Sequence, residues 1–229
     1  MYRHFFKRVC DIICASSVFL FLWPLYLILA ILVRTKLGSP VYFKQVRPGK
    51  DGKLFTLYKF RSMTNEKDEN GNLLPDEVRL TKFGKWLRNS SLDEMPEAIN
   101  IFLGHMSVIG PRPLLVKDCV FFDEEIMKRQ SVRPGLSGLA QVRGRNNLSW
   151  EDKFKYDLEY VNKITFFKDV KLVFQTIGKA FIKHDDIDRE GFATDEDYGD
   201  HLLNSGVITK KAYDEKIQES VGLLDGYRK

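Results

Sequence analysis

The sequence predicts a mainly helical α+β fold with an N-terminal membrane helix and one short β-hairpin. Three observations predict it. Ile12 to Val33 is a run of 22 uncharged residues, which as a straight helix covers about 30 Å of hydrocarbon. Asp51-Gly52, a hairpin turn signal, lies between the β-prone stretches Pro40-Val41-Tyr42-Phe43 and Leu54-Phe55-Thr56-Leu57-Tyr58. Most of the chain beyond the hairpin reads as helix, punctuated by Pro/Gly-rich loops.

Composition bounds the rest. The chain has 229 residues, 44% hydrophobic and 29% charged, which excludes a wholly disordered chain and suits one domain with an appendage. Its three cysteines, Cys10, Cys14 and Cys119, cannot form a disulfide framework and match no zinc-site spacing, so they read as apolar packing in a reducing compartment. Charge is uneven. Residues 1–183 carry 30 basic and 19 acidic side chains, a net of +11; residues 184–229 carry 6 and 12, a net of −6. The sequence thus divides into a membrane segment with its flanks (1–36), a basic body (37–183) and an acidic tail (184–229). Such a body seeks an anionic partner: nucleic acid, a phosphorylated ligand or a membrane surface.

The uncharged run admits two dispositions. Its length favours a single transmembrane span. Pro24, near its middle, removes a backbone hydrogen bond and clashes with the carbonyl of Leu20, which predicts a kink. Both flanks are basic, Arg3, Lys7 and Arg8 before it and Arg34 and Lys36 after. A spanning helix normally leaves one flank poor in Lys and Arg, whereas a re-entrant helix returns both to the same face. The run is too long, and lacks the small-residue site, for a cleaved signal peptide. Asp11 lies three residues after Arg8, a spacing that permits an ion pair.

Further along, residues 64–77, with Asn70-Gly71, read as a solvated loop. Residues 79–104 read as helices, with Ser90, Ser91 and Asp93 as caps for a new start. Gly110-Pro111-Arg112-Pro113 is a rigid loop; residues 114–130 read as helix, ended by Arg133-Pro134-Gly135, and 136–149 as loop. Over 151–183, Phe166, Val170, Val173, Phe174, Ile177 and Phe181 fall at helical spacing among lysines: a core-facing helix or, given the membrane segment, a basic amphipathic helix on the bilayer. The tail predicts two short helices, around His201-Leu202-Leu203 and from Lys211 to Leu224, outside the chemistry.

No Gly-rich phosphate loop, nucleotide fingerprint or Ser-His-Asp arrangement is present, and His105 reads as structural. Asp93-Glu94, behind Arg88, is the informative pair. Carboxylates near cations can hold Mg²⁺ or supply an acid, base or nucleophile; they are equally what a helix dipole favours in a first turn. Arg112, Arg133 and Arg145 sit in rigid Pro/Gly contexts, where little entropy is lost in binding phosphate bidentately. Together with the membrane segment, they point to a phosphorylated substrate at a lipid surface.

Five runs then stand in order: Lys59-Phe60-Arg61-Ser62-Met63, Ser91-Leu92-Asp93-Glu94, Met106 to Pro113, Arg133-Pro134-Gly135-Leu136-Ser137-Gly138 and Gly144-Arg145-Asn146. Over about residues 1–183 the sequence resembles the bacterial sugar transferase family, the monotopic phosphoglycosyl transferases, and within it the small PglC-like members. The resemblance implies a re-entrant helix kinked at Pro24 and a cytoplasm-facing catalytic domain on interfacial helices at the bacterial inner membrane. It implies transfer of a sugar phosphate from a UDP-sugar to polyprenol phosphate with release of UMP, the first membrane step of glycoconjugate assembly. By the same resemblance Asp93 is the nucleophile that forms a phosphosugar intermediate, Glu94 assists it, and Mg²⁺ near Asp93 offsets the diphosphate charge. Arg88, Arg112 and Arg145 hold phosphate oxygens, with Lys59 a helper. The sequence departs from the family at Trp23, where a small residue is usual, at His105 (acidic), at Leu139 (Trp) and at Arg143 (Asn).

The partners expected are therefore the UDP-sugar, the polyprenol phosphate and the bilayer, and not nucleic acid; self-association through the tail or membrane helices stays open. Two rival classes remain: a membrane-anchored Mg²⁺-dependent phosphodiester hydrolase, and an anchored protein that binds anionic lipid or nucleic acid through its basic face.

Overall fold

The computed structural model describes residues 1–144, 148–182 and 196–228. The uncharged run does not form one rod. A π-helical turn, Tyr2–Phe6, leads into α1, Lys7–Phe21; after the single residue Leu22 comes α2, Trp23–Leu37, bent from α1 by 69°. Pro24 sits in the first turn of α2, where an N–H has no intrahelical partner anyway. It also denies the Leu20 carbonyl the donor of a continuous helix. Each arm has 15 residues, about 22 Å. Among the described residues no single helix is long and apolar enough to cross a membrane; the bent pair together meets that test.

The predicted hairpin forms. β1, Tyr42–Pro48, pairs antiparallel with β2, Leu54–Phe60, in register from Tyr42 opposite Phe60 to Pro48 opposite Leu54. Three helices follow, α3 (Asp76–Arg79), α4 (Lys82–Asn89) and α5 (Glu97–Leu103). Thr81 caps α4, its side chain accepting from the Gly84 N–H. The expected caps at Ser90, Ser91 and Asp93 do not form. Ser91 takes a left-handed conformation (φ 55°), Asp93 lies in a 3-10 turn (Leu92–Glu94), and α5 starts behind Pro96.

Two short strands, β3 (Ser107–Ile109) and β4 (Gly135–Ser137), pair in parallel, and β4 replaces the start of the loop expected over 136–149. The reason is close backbone contact. A Cβ at Gly135 would stand 2.0 Å from the Gly110 nitrogen, and one at Gly138 2.2 Å from the Gly110 carbonyl oxygen. Three-residue strands carry too little alternation to be read from sequence. The stretch 114–130 breaks into α6 (Val116–Cys119), α7 (Glu124–Met127) and a 3-10 turn (Lys128–Ser131). Then come α8 (Leu139–Arg143), α9 (Trp150–Asn162) and α10 (Phe166–Ile182), and in the tail α11 (Tyr198–Asn204) and α12 (Lys210–Arg228), close to the two helices expected there.

Each arm of the bent pair seals part of the body. Ala15 of α1 joins Phe55, Leu57, Ile101 and Met106 in one core; Leu29, Val33 and Leu37 of α2 join Phe60 and Leu87 in another. Their outer faces leave Leu20, Phe21, Trp23 and Ile28 more than half exposed, an apolar surface that a water-bathed monomer rarely maintains. On α10, Leu172 and Asp169 are buried while Phe167 and Phe174 stand out, an amphipathic division with aromatics outward; the side chain of Phe181 lies outside the described residues.

Polar anchors fix the arms. Asp11 does not pair with Arg8. Buried, it accepts hydrogen bonds from the Ser107 hydroxyl and the Val108 N–H, both 2.9 Å, and so pins α1 to β3. Arg8 instead donates to the carbonyls of Ile101 (2.6 Å) and Phe102 (2.8 Å), at the negative end of the α5 dipole. Asp169 accepts from Lys7 (2.7 Å), Tyr2 (2.8 Å) and Tyr160 (2.7 Å), tying the first turn of the chain to α9 and α10.

The tail is docked rather than loose. Lys117 pairs with Asp197, and Asp118 accepts from the Tyr198 N–H and from the Leu115 N–H, each at 3.1 Å. Tyr198 lies among Phe122, Trp150 and Phe154. The appendage, expected to lie outside the chemistry, leans on α6, shortly after the Gly110–Pro113 loop. The acidic run that opens it lies outside the described residues.

A Cβ at Gly84 would stand 1.9 Å from the Ser62 carbonyl oxygen, so α4 touches the Lys59–Met63 segment backbone to side. Gly84→Ala is expected to lower the unfolding free energy by about 1–3 kcal/mol, the usual range for overpacking. Gly222→Ala in α12, with nothing within 4 Å, should leave stability unchanged or raise it by up to about 1 kcal/mol. Thermal unfolding of the detergent-extracted protein distinguishes the two.

Candidate active site

The site begins with the pleat of β2. Phe55 and Leu57 are buried on one face of the strand, and Lys59 takes the next position on that face, toward α5. Asn100 of α5 holds the strand in place: its amide donates to the Thr56 carbonyl (2.7 Å) and its oxygen accepts from the Tyr58 N–H (3.1 Å). Asn100 thus mimics a neighbouring strand on β2. The Lys59 ammonium reaches Glu94 (2.7 Å) and Glu97 (3.2 Å).

Arg88, in the last turn of α4, donates from Nε to the Ser62 hydroxyl at 2.7 Å, a contact allowed by the close approach at Gly84. The left-handed turn at Ser91 ends α4 and swings Asp93 and Glu94 inward.

Arg112 comes from a loop tied at three successive carbonyls. Gly135 N–H donates to the Pro111 carbonyl (2.9 Å), Arg129 to the Arg112 carbonyl (2.7 Å) and Arg47 to the Pro113 carbonyl (3.1 Å). Arg129 is itself buried against Asp157 (2.7 Å) and lies over the rings of Phe122 and Phe154. On this fixed backbone the Arg112 side chain, half exposed, extends to within 3.6 Å of Glu94.

Three cations from three elements thus surround Asp93, which is 8% exposed. Burial, reinforced by the charge of Glu94, pushes its carboxyl up to about 6, against the pull of Lys59, Arg88 and Arg112. Glu97, 3% exposed, is pushed up to about 7, again by burial first and Glu94 second. A buried carboxylate amid cations, yet with its proton affinity raised, is a common signature of a functional site.

The arrangement gathers Lys59, Arg88, Asp93, Glu94 and Arg112; Arg145 lies outside the described residues. Arg133 does not join them, because it donates to the Gly104 carbonyl at 2.7 Å beyond the end of α5. His105 stacks on Phe55, as a structural residue would. Leu139 is core, and Arg143 lies over Tyr156. Sequence reasoning missed Glu97, Asn100, Arg129 and Arg47. The signal for the first two was available, since Glu94, Glu97 and Asn100 recur every three residues and share a face. Arg129 and Arg47 gave none, because they act on carbonyls distant in sequence.

A hard cation shared with phosphate oxygens needs only one or two protein carboxylates. Among the described residues no group of three His, Cys, Asp or Glu forms a metal cage, so Asp93, beside Glu94, fits Mg²⁺ only if a phosphorylated ligand completes the shell. A separate groove of about 580 Å³ runs along α9 by Phe154, Leu158 and Tyr198 and includes none of these residues.

A bent apolar helix pair and a carboxylate dyad among fixed cations accompany the ordered motifs, and the comparisons with known proteins place the chain among transferases. The chain belongs to the bacterial sugar transferase family, whose profile matches residues 2–183. It is 48% identical over 176 residues to the uncharacterized sugar transferase EpsL of Bacillus subtilis strain 168, covering 77% of this chain and 87% of that one. It is 40% identical over 187 residues to a UDP-glucose:undecaprenyl-phosphate glucose-1-phosphate transferase of Klebsiella pneumoniae (77% of this chain, 40% of the relative). It is 32% identical over 198 residues to an undecaprenyl-phosphate galactose phosphotransferase of Salmonella typhimurium (79% and 41%). The match thus spans about two-fifths of the length of the last two relatives.

Because Asp93 and Glu97 protonate more readily here than in an unfolded chain, the folded state binds more protons between about pH 4 and 7. Their contribution to stability therefore declines as pH rises through that window. The unfolding free energy, followed by denaturant titration from pH 5 to 7.5, should show a decline that flattens in Asp93→Asn and in Glu97→Gln. A variant curve parallel to that of the wild type would contradict the assignment.

Proposed function

We propose that this protein transfers a sugar 1-phosphate from a UDP-sugar to polyprenol phosphate and releases UMP, as the first membrane step of glycoconjugate assembly. The observation that carries the reading is the buried Asp93 carboxylate amid Lys59, Arg88 and Arg112, each delivered from a different element. A carboxylate approaching a diphosphate meets like-charge repulsion, and fixed cations offset it. Relatives named for UDP-glucose and undecaprenyl phosphate support the same substrates here, with the sugar unassigned.

In the proposed sequence Asp93 attacks the sugar-bearing phosphorus. The bond from that phosphorus to the bridging oxygen breaks, and UMP leaves with the electron pair. A phosphate oxygen of the polyprenol then attacks the same phosphorus and releases the Asp93 carboxylate. Glu94, held by Lys59 and Arg112, supports Asp93 as base or through its charge. Arg88, Arg112 and Arg145 bind phosphate oxygens. Mg²⁺ bound at Asp93 would supply charge neutralisation for the diphosphate.

The same reading takes residues 1–36 as a re-entrant membrane hairpin, 37–183 as the catalytic domain and 184–229 as an appended tail. Arms of about 22 Å bent at Pro24 are too short to cross singly, and their outward apolar faces favour bilayer contact. The basic flanks then lie together at the cytoplasmic face of the inner membrane, where anionic lipid attracts them, and α10 rests its exposed phenylalanines on the interface.

A UMP-release screen over a panel of UDP-sugars, with undecaprenyl phosphate and Mg²⁺, tests the reading. One or more donors should turn over, and acid quenching with labelled donor should leave a phosphosugar adduct on Asp93. Asp93→Asn should fold normally and lose about 10³-fold or more in rate; turnover near the wild-type rate would remove the nucleophile. UMP release at full rate without lipid acceptor would favour a hydrolase, and release from no donor would favour a binding protein.

A further inference from the structure

We propose that Glu97 is a positioning residue for this chemistry: by accepting from Lys59 it holds the ammonium against Glu94, so that Lys59 and Glu94 act as one unit beside Asp93. The proposal rests on the phosphoglycosyl-transferase reading.

Glu97 opens α5, and an acidic residue in a first helical turn ordinarily needs no further account. The helix dipole favours it modestly. That is too little here. Glu97 is 3% exposed, and taking a carboxylate out of water costs far more than a helix dipole returns. The ammonium of Lys59, in direct contact at 3.2 Å, offsets part of that cost, with the charge of Arg112 adding to the effect.

The geometry also says what Lys59 gains. Its ammonium already has Glu94 at 2.7 Å, so a second acceptor is not needed for the charge. A lone Lys–Glu contact leaves a flexible four-carbon stem free to rotate. A second acceptor on another element converts the contact into a fork, with Glu94 on the 3-10 turn and Glu97 on α5. One turn further along α5, Asn100 grips the backbone of β2 at Thr56 and Tyr58. Strand and ammonium are thus held by the same helix, three residues apart. Arg112 approaches the same Glu94 oxygen from the opposite chain segment. Glu94 is therefore fixed from two sides, and one of those sides depends on Glu97.

The role is that of a hydrogen-bond acceptor, so a neutral isostere preserves it and truncation does not. Steady-state UMP release should show Glu97→Gln within about threefold of the wild-type kcat, and Glu97→Ala about ten- to hundredfold below it. The KM for the UDP-sugar should move by less than about threefold in both, because the contact acts on Glu94 rather than on the donor. In a Lys59→Met background Glu97→Ala should add less than about a twofold further loss, the non-additivity of residues that share one interaction. Equal losses in Glu97→Gln and Glu97→Ala would overturn the proposal. So would a Glu97→Ala kcat within twofold of wild type, or fully multiplicative effects in the double variant. If Glu97→Ala does not fold, Glu97→Gln decides alone, and a loss of tenfold or more there refutes the acceptor role. Failure of the wild-type protein to release UMP from any donor is a distinct result, which removes the transferase reading itself.

Discussion

Three carboxyl groups, Asp93, Glu94 and Glu97, lie within five residues of sequence in a largely buried site, and mutual repulsion is the constraint that shapes everything around them. Burial limits how far water can screen Asp93 and Glu97, and cations come from elsewhere in the chain. Lys59 arrives on β2, Arg88 on α4 and Arg112 on a loop stitched down at three carbonyls. Each delivery needs its own support: Asn100 for the strand, the bare Gly84 contact for the helix, Arg129 and Arg47 for the loop. Much of the body is scaffolding for three charges, and the proton affinities of Asp93 and Glu97 stay raised, by burial first and by the charge of Glu94 second.

The bent helix pair belongs to the same construction. Its arms supply apolar sides to two of the cores on which β2, α4 and α5 rest, and Asp11 and Asp169 lock α1 to β3 and α10. The bent pair and the carboxylate cluster are therefore not separable layers. Tilting α1 would move β3, and with it the Gly110–Pro113 loop that carries Arg112.

Much of this was legible in the sequence, for identifiable reasons. Pro24 announced the bend because its missing N–H acts locally. Asp51-Gly52 announced the hairpin, and the dyad with its arginines stood out through chemistry and order. What stayed hidden was long-range. Ser107–Ile109 and Gly135–Ser137 are too short to show a strand period, and their pairing depends on glycines that let two backbones touch. The i,i+3 rule suggested Arg8 with Asp11, but helix-end carbonyls and a strand N–H, distant in sequence, were better partners for each. Glu97 was missed because its three-residue spacing from Glu94 is a weak signal, and burial is what sets it apart from a routine first-turn acid. Arg145 lies outside the described residues, so its expected contact with phosphate stands on the motif.

The tail has a consequence for how this enzyme can be trimmed. The family match ends at residue 183, yet Asp118 divides its two oxygens between the segment that follows Arg112 and the first residue of α11. Cutting at the family boundary would orphan half of that carboxylate and lay bare the rings of Phe121, Phe122 and Phe154, now covered by Tyr198, Gly199 and Tyr213. A sticky aromatic scar would then sit next door to the loop that carries Arg112, so any minimal version of this protein would have to be resurfaced there rather than simply shortened.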